Sequence, residues 1–324
     1  KNEEEIYVLY EDGLRGTQVS LAYRGQYYQH EIQRVAQLSE TLNPDWVFFD
    51  LELFSRYVPI SVRDQQLLQR MEAEQWESVS EACIMLGTEM LTDLTTAAKS
   101  LAADGIPPRV GFYNVTPERI YTGIYDFQRM YPHILNLAQP SQYFGGDAAR
   151  VGDQIKTIRK MLPQSDIIPW LTAGTYGEFP ARNMRDMVLE AFFNGSCGIT
   201  FFAISDFNGL DLKYTSEAIA IAAKVEDIIM DGHLIGDEEL IAQAENVRVT
   251  GLKKANGEAA ILVSSYASND EKVVPVNYRV SNESNVIDLD DDSIVGIITP
   301  EKTKFCVTFS SQIRSKVFAI VPVK

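Results

Sequence analysis

The chain has 324 residues, enough for one large domain plus a smaller one and a sizeable core. Its composition, 45% hydrophobic and 23% charged, is that of an ordinary globular protein. A net charge of -16 at pH 7 argues against nucleic-acid backbones and anionic membranes as partners, although an acidic surface also serves solubility.

Possible strands occupy 6–10 and 18–23. A helix is predicted over 30–41, with Ile32, Val35, Ala36 and Leu38 at helical spacing, and Asn43-Pro44 ends it. The strand 45–50 follows and runs into Asp50-Leu51-Glu52. Its apolar, β-favouring residues read as buried on both faces, as in a parallel sheet. Asp50 and Glu52 are two residues apart, so they leave the strand on one face, and two acids there must be satisfied or used.

Residues 55–75 read as an insertion at the strand-exit end, followed by a helix over 78–103. The next strand, 109–114, comes after the breaker Gly105-Ile106-Pro107-Pro108. A helix near 117–131 leads to a strand over 134–138, and a helix near 147–162 to a strand over 167–173. A helix near 182–194 leads to a strand over 198–205, and a last helix covers about 215–230. The strands after residue 109 recur at about 24, 33 and 31 residues, the rhythm of repeated βα units. With one crossover hand this predicts a (β/α)8 barrel, and no GxGxxG or P-loop supports a nucleotide fold. Only about 44 residues precede the acidic strand, where three βα units take roughly 100. The expectation is therefore that an N-terminal segment or a partner chain supplies the earlier strands.

After about residue 238 the pattern becomes short β runs: 246–254, 259–267, 272–280, 286–298, 305–310 and 316–323. They are separated by turn signals such as Asn256-Gly257. The domain reading is a barrel over 1–237 and an all-β sandwich over 238–324. The acidic run Asp288-Leu289-Asp290-Asp291-Asp292 is an ion site or, more often for such runs, a solvated turn or a charged edge strand, and it lacks the EF-hand glycine and glutamate. Cys83, Cys197 and Cys306 are odd in number and widely spaced, so no disulfide framework or CxxC site exists; Cys83 and Cys197 read as buried thiols. His30, His133 and His233 lack zinc-ligand spacing. The longest charge-free run, 191–205, contains Asn194, Gly195 and Gly198 and is too short to span a bilayer.

Polar and aromatic residues collect at the C-terminal ends of the proposed strands. These are Asp50 and Glu52, then Tyr113 and Asn114, then Gln139 to Tyr143. Trp170 leads to Thr172, Thr175, Tyr176 and Glu178, and the last strand ends at Ser205-Asp206. Rings that cover pyranose faces, with amides and carboxylates for hydroxyls, suit a neutral polyhydroxylated ligand. Each residue has a plainer role available. Asp50 and Glu52 could pair with a cation inside a barrel, and Glu178 could be a loop acid or a helix N-terminal charge. Asp206 could close a turn, and Tyr113, Tyr143 and Trp170 could be core.

On these residues the stretch from about 30 onward resembles the later part of a (β/α)8-barrel glycoside hydrolase with an appended β-sandwich. Asp45-x4-Asp50-x-Glu52 is similar to the fourth-strand signature of family 18 chitinases and related endoglycosidases. There the final Glu is the acid and the preceding Asp orients the substrate. Phe48 stands where that motif has another Asp. Phe49-Asp50 is also similar to the fourth strand of α-galactosidase-like barrels, which would make Asp50 the nucleophile. The resemblance implies an O-glycosyl hydrolase with a carbohydrate substrate, no metal or organic cofactor, and an extracytoplasmic or secreted location. Glu52 is the expected general acid/base, its pKa raised by Asp50 and partial burial. Glu178 or Asp206 is the expected opposing carboxylate, with Tyr113, Asn114, Gln139, Tyr143, Trp170 and Tyr176 binding substrate. A degenerate, non-catalytic carbohydrate-binding barrel is the alternative.

Overall fold

The computed structural model describes residues 6–51, 57–100, 105–113, 115–118, 124–266, 271–310 and 313–323. The chain divides into two compact units. One is Lys1–Gln139 with Met161–Asp166, and the other is Pro140–Lys160 with Ile167–Lys324.

The first unit opens with the antiparallel hairpin β1 (Tyr7–Leu9) and β2 (Arg15–Val19). The helix Gln26–Leu42 ends where Asn43 turns left-handed (φ 41°) and donates its N–H to the Ser39 carbonyl, just before Pro44. Then β3 (Trp46–Phe49), β4 (Arg109–Tyr113) and β5 (Leu137–Gln139) pair in parallel, with β6 (Asp166–Ile167) beside β5. Between β3 and β4 lie the helices Tyr57–Ser61, Gln65–Glu74 and Val79–Ser100. The last buries Cys83, Leu86, Leu91 and Ala98. At Gly87 a side chain would overlap the Ile124 carbonyl, so glycine there sets how closely that helix packs.

Three expectations for this unit are corrected. The face of β3 that carries Trp46 and Phe48 is open, at 39% and 43% exposure, while Phe49 is buried. Among the described residues β3 ends its sheet, and Trp46 and Phe48 stack on each other (6.3 Å) with Arg109 over the indole (5.0 Å). The helix near 117–131 is interrupted: 124–126 are not helical, and Asp126 caps a single turn, Phe127–Met130. The strand expected at 134 begins only at Leu137, because the amides of Ile134 and Leu135 are tied back to the Met130 carbonyl.

In the second unit the helix Ala148–Met161 is followed by β7 (Trp170–Leu171), the helix Arg182–Phe193 and β8 (Thr200–Phe201). β7 and β8 pair in parallel. The strand expected over 167–173 is split at Ile168-Pro169. Pro169 has no N–H for a ladder, and its carbonyl accepts from both the amide and the hydroxyl of Thr200. β8 is likewise shorter than 198–205, because Ala203 turns left-handed (φ 52°) and a 3-10 turn, Ile204–Asp206, follows. The helix predicted at 215–230 is two helices, Gly209–Ala223 and Glu226–Asp231. The first starts at a capping box between Asn208 and Asp211. Cys197 is half-buried rather than buried, and none of the three cysteines is in a disulfide.

The rest of the unit is all β. One antiparallel sheet runs in the order β15 (Ser293–Ile298), β14 (Ser284–Asp288), β17 (Ser315–Pro322), β12 (Ala259–Ser264), β11 (Arg248–Lys253), β9 (His233–Leu234). A second has the order β10 (Leu240–Ala242), β13 (Lys272–Tyr278), β16 (Lys304–Phe309). Ile261, Val263, Val286, Phe318 and Ile320 from the first share one core with Val274, Val276, Phe305, Val307 and Phe309 from the second. Asn256-Gly257 forms the β11–β12 turn with Gly257 at φ +91°. The run 286–298 is a hairpin, not one strand, and the acidic run turns it. Asp288 pairs with Lys316, Asp290 with Arg185 and Asp292 with Lys224, while Asp291 accepts from Ser293, so this run is a charged, cation-paired turn. Among the described residues no helix is long and apolar enough to cross a membrane.

Candidate active site

The predicted site residues fall at the C-terminal ends of parallel strands in both units. In the first unit Asp50 follows β3, exposed, on the face that Trp46 and Phe48 occupy. The carbonyl of Leu51, one residue on, accepts from the Tyr125 hydroxyl (3.5 Å). Glu52 and Asn114 lie outside the described residues. Tyr113 ends β4 and is in register with Gln139 at the end of β5. Gln139 is 1% exposed, and neither of its amide atoms has a hydrogen-bond partner. A buried amide with no partner is costly.

In the second unit the loops after β5, β7 and β8 meet. The rings of Tyr143 and Tyr176 stack at 4.9 Å and 26°, and Phe202 lies 5.7 Å from the first and 6.2 Å from the second. Tyr176 is 59% and Phe202 42% exposed, so the three rings form an open shelf. On the same loop as Tyr176 the Thr172 hydroxyl donates to Thr175 (2.7 Å), and the Thr175 hydroxyl donates to Asp206 (2.6 Å). Asp206 is therefore held from the β7 loop rather than merely closing a turn. Glu178 is exposed on the same loop. The loop curls through the Gly177 N–H to Gly174 carbonyl bond (3.0 Å), which brings the Glu178 carboxylate over Gly174. Trp170 is half-buried, and its Nε1 has no partner.

The structure thus assembles Tyr143, Tyr176, Glu178 and Asp206 around one set of loops, with Trp170 at the root of the β7 loop. Asp50, Tyr113 and Gln139 belong to the other unit. The sequence places Thr172 and Thr175 in the polar run at the strand exit without giving them a role, and it does not single out Phe202. Phe202 lies inside the strand expected over 198–205 and follows β8 only in the fold, and the threonine relay depends on a contact across 31 positions.

A fully buried carboxylate lies elsewhere, on the helix Arg182–Phe193. Glu190 accepts from Ser264 (3.0 Å), Tyr266 (2.9 Å) and Asn194 (2.8 Å), with Arg248 at 3.6 Å. Burial pushes its pKa up, against the pull of Arg248 and these hydrogen bonds. With every oxygen satisfied, Glu190 fastens that helix to β12. Among the described residues no three His, Cys, Asp or Glu side chains converge as metal ligands.

No family model and no curated protein matches this sequence. Solved structures do. A family 27 glycoside hydrolase, the β-L-arabinopyranosidase of Geobacillus stearothermophilus solved with arabinose, superposes with a TM-score of 0.60. It is 13% identical and aligns over 99% of this chain and 68% of its own. An Anoxybacillus α-amylase gives 0.52 at 9% identity, over 89% of this chain and 73% of its own. At these identities the likeness concerns the fold, a mixed α/β glycosidase architecture followed by a C-terminal β domain.

Proposed function

We propose that the protein is an O-glycosyl hydrolase that cleaves an oligo- or polysaccharide on a (β/α)8-type barrel carrying a C-terminal β-sandwich. The supporting observation is the setting of Asp206 and Glu178: two carboxylates beside an exposed shelf of three rings, at the C-terminal ends of parallel strands. The fold likeness to glycosidases supports the same reading. In this proposal Glu52 donates a proton to the glycosidic oxygen, and Asp50 orients the sugar or stabilises the oxocarbenium-like transition state. Glu178 or Asp206 supplies the second carboxylate, as base toward water or as nucleophile. Tyr143, Tyr176 and Trp170 contact the sugar, with Tyr113, Asn114 and Gln139 as further binding groups. The chemistry needs no metal or organic cofactor, and such a substrate suits an extracytoplasmic or secreted protein.

The exposed rings alone also favour a second reading, a carbohydrate-binding protein without turnover. Incubation with a panel of oligosaccharides and aryl glycosides, read by release of reducing ends, decides between them. Product formation supports the hydrolase. Retention of a glycan without products supports the binding protein and overturns the catalytic reading.

A further inference from the structure

We propose that the edge strand β15 is a contact between two copies of this chain, pairing antiparallel with its own equivalent about a two-fold axis. Among the described residues β15 ends the six-stranded sheet, so its outer edge offers N–H and C=O groups for a further strand. Its sequence, Ser293-Ile294-Val295-Gly296-Ile297-Ile298, holds no charged residue and no proline. Ile294, Val295 and Ile297 are 62%, 43% and 47% exposed. Edge strands that stay single are kept short or are charged. The other end strands follow that rule: β9 has two residues, β10 has three, and β16 carries the exposed Lys304. β15 is six residues long and uncharged, and its one irregularity is a bulge at Val295.

The register with β14 fixes which way these side chains point. Ile294 lies opposite Ile287 and Ile297 opposite Asn285, whereas Gly296 lies opposite Val286 of the core. Ile294 and Ile297 therefore both stand on the face away from the core, because the bulge at Val295 restores the same side over an odd spacing. Val321, 36% exposed, continues that apolar face beyond Asn285. A strand with this pattern is complementary to itself. With Val295 of one copy opposite Gly296 of the other, Ile294 meets Ile297 on both sides of the axis, giving two apolar cross-strand pairs. The ends match in charge. Asp291 and Asp292 precede the strand, and Lys302 is tied to Thr299 just after it by reciprocal backbone bonds (2.9 and 3.1 Å). Lys302 is exposed, and Asp291, also exposed, accepts only from Ser293; among the described residues neither is in an ion pair. Antiparallel pairing sets the acidic turn of each copy beside the Lys302 of the other. A net charge of -16 opposes contact between copies in general, which favours a strand that carries none. The pairing of Ile294 with Ile297 and of Lys302 with the acidic turn holds for a second copy and selects it over an unrelated strand.

The test is the oligomeric state of the full chain, followed by sedimentation velocity over a concentration series into the high micromolar range. The proteins are the wild type, Ile294→Lys, Ile297→Lys, Lys302→Glu and the double variant Asp291→Lys/Lys302→Glu, each with its melting temperature. The wild type should pass from monomer to dimer as concentration rises. Each isoleucine variant should weaken the dimer by roughly tenfold or more, because it places a charge in the contact and enters it twice. Melting of the dilute protein should hold, since both side chains are exposed. Lys302→Glu, in an exposed turn outside the strand, should also weaken the dimer, and the double variant should recover most of that loss. The inference is overturned if the wild type stays monomeric throughout, or if the dimer survives both isoleucine variants. An open series of larger species in place of a dimer overturns the two-fold pairing. A double variant no stronger than Lys302→Glu overturns the antiparallel register.

Discussion

The Thr175 hydroxyl donates to the Asp206 carboxylate across 2.6 Å and ties the loop after β7 to the turn after β8. Thr172 supports Thr175 from behind at 2.7 Å, so the aim of Asp206 depends on a two-threonine relay. Thr175→Val keeps the shape and removes the donor. Turnover should fall by about ten- to a hundredfold with little change in melting, and Thr175→Ser should restore most of it. Equal loss in Thr175→Ser would show that the methyl packing, not the hydrogen bond, matters.

The aromatic shelf should act on binding more than on stability. Tyr176 and Phe202 are largely exposed, so Tyr176→Ala and Phe202→Ala should cost no more than about 0.5 kcal/mol of folding stability. The same variants should weaken oligosaccharide binding up to about tenfold per ring, read as KM or as a dissociation constant. Unaltered glycan affinity in both variants would remove the shelf from the site.

Glu190 sets a pH dependence with a definite sign. Burial raises its pKa above the ordinary 4.5, so the folded protein holds this proton to higher pH than the unfolded chain does. More protons are then bound in the folded state, and the stability from this group is present at low pH. It is lost as pH rises from the unfolded value through the folded one. In denaturant titrations from about pH 4 to about pH 7, the wild type should lose stability relative to Glu190→Gln. A wild type that gains on the variant over that range would contradict the assignment.

Gly152 leaves the room that Glu190 occupies. A side chain there would overlap the Glu190 Oε2 and lie 2.8 Å from the Asn194 Nδ2. Gly152→Ala should destabilise by about 1–3 kcal/mol as overpacking against a buried carboxylate, measured by urea unfolding. A neutral result would mean the helix Arg182–Phe193 shifts to make room.

Local chemistry was legible in the sequence and long-range placement was not. The apolar run Trp46–Phe49 identified β3 and its acidic exit, yet periodicity cannot tell an end strand from a central one, so the open face of Trp46 and Phe48 was missed. Pro169 could have signalled the split between β6 and β7, since it removes a ladder donor. The acidic run inside 286–298 reads as an ion site, a solvated turn or a charged edge strand, and only its cation partners from distant segments select the turn. Tyr143 and Tyr176 were both named as binders. Their stacking, 33 positions apart, and the company of Phe202 needed the fold.

Turnover by Glu52→Gln and Asp50→Asn tests most directly the proposed role of the carboxylates that follow β3 in glycosidic cleavage. On whichever glycan the wild type cleaves, each variant should lose about 10² to 10⁴-fold in kcat while keeping its melting temperature. Wild-type turnover in both variants would contradict it.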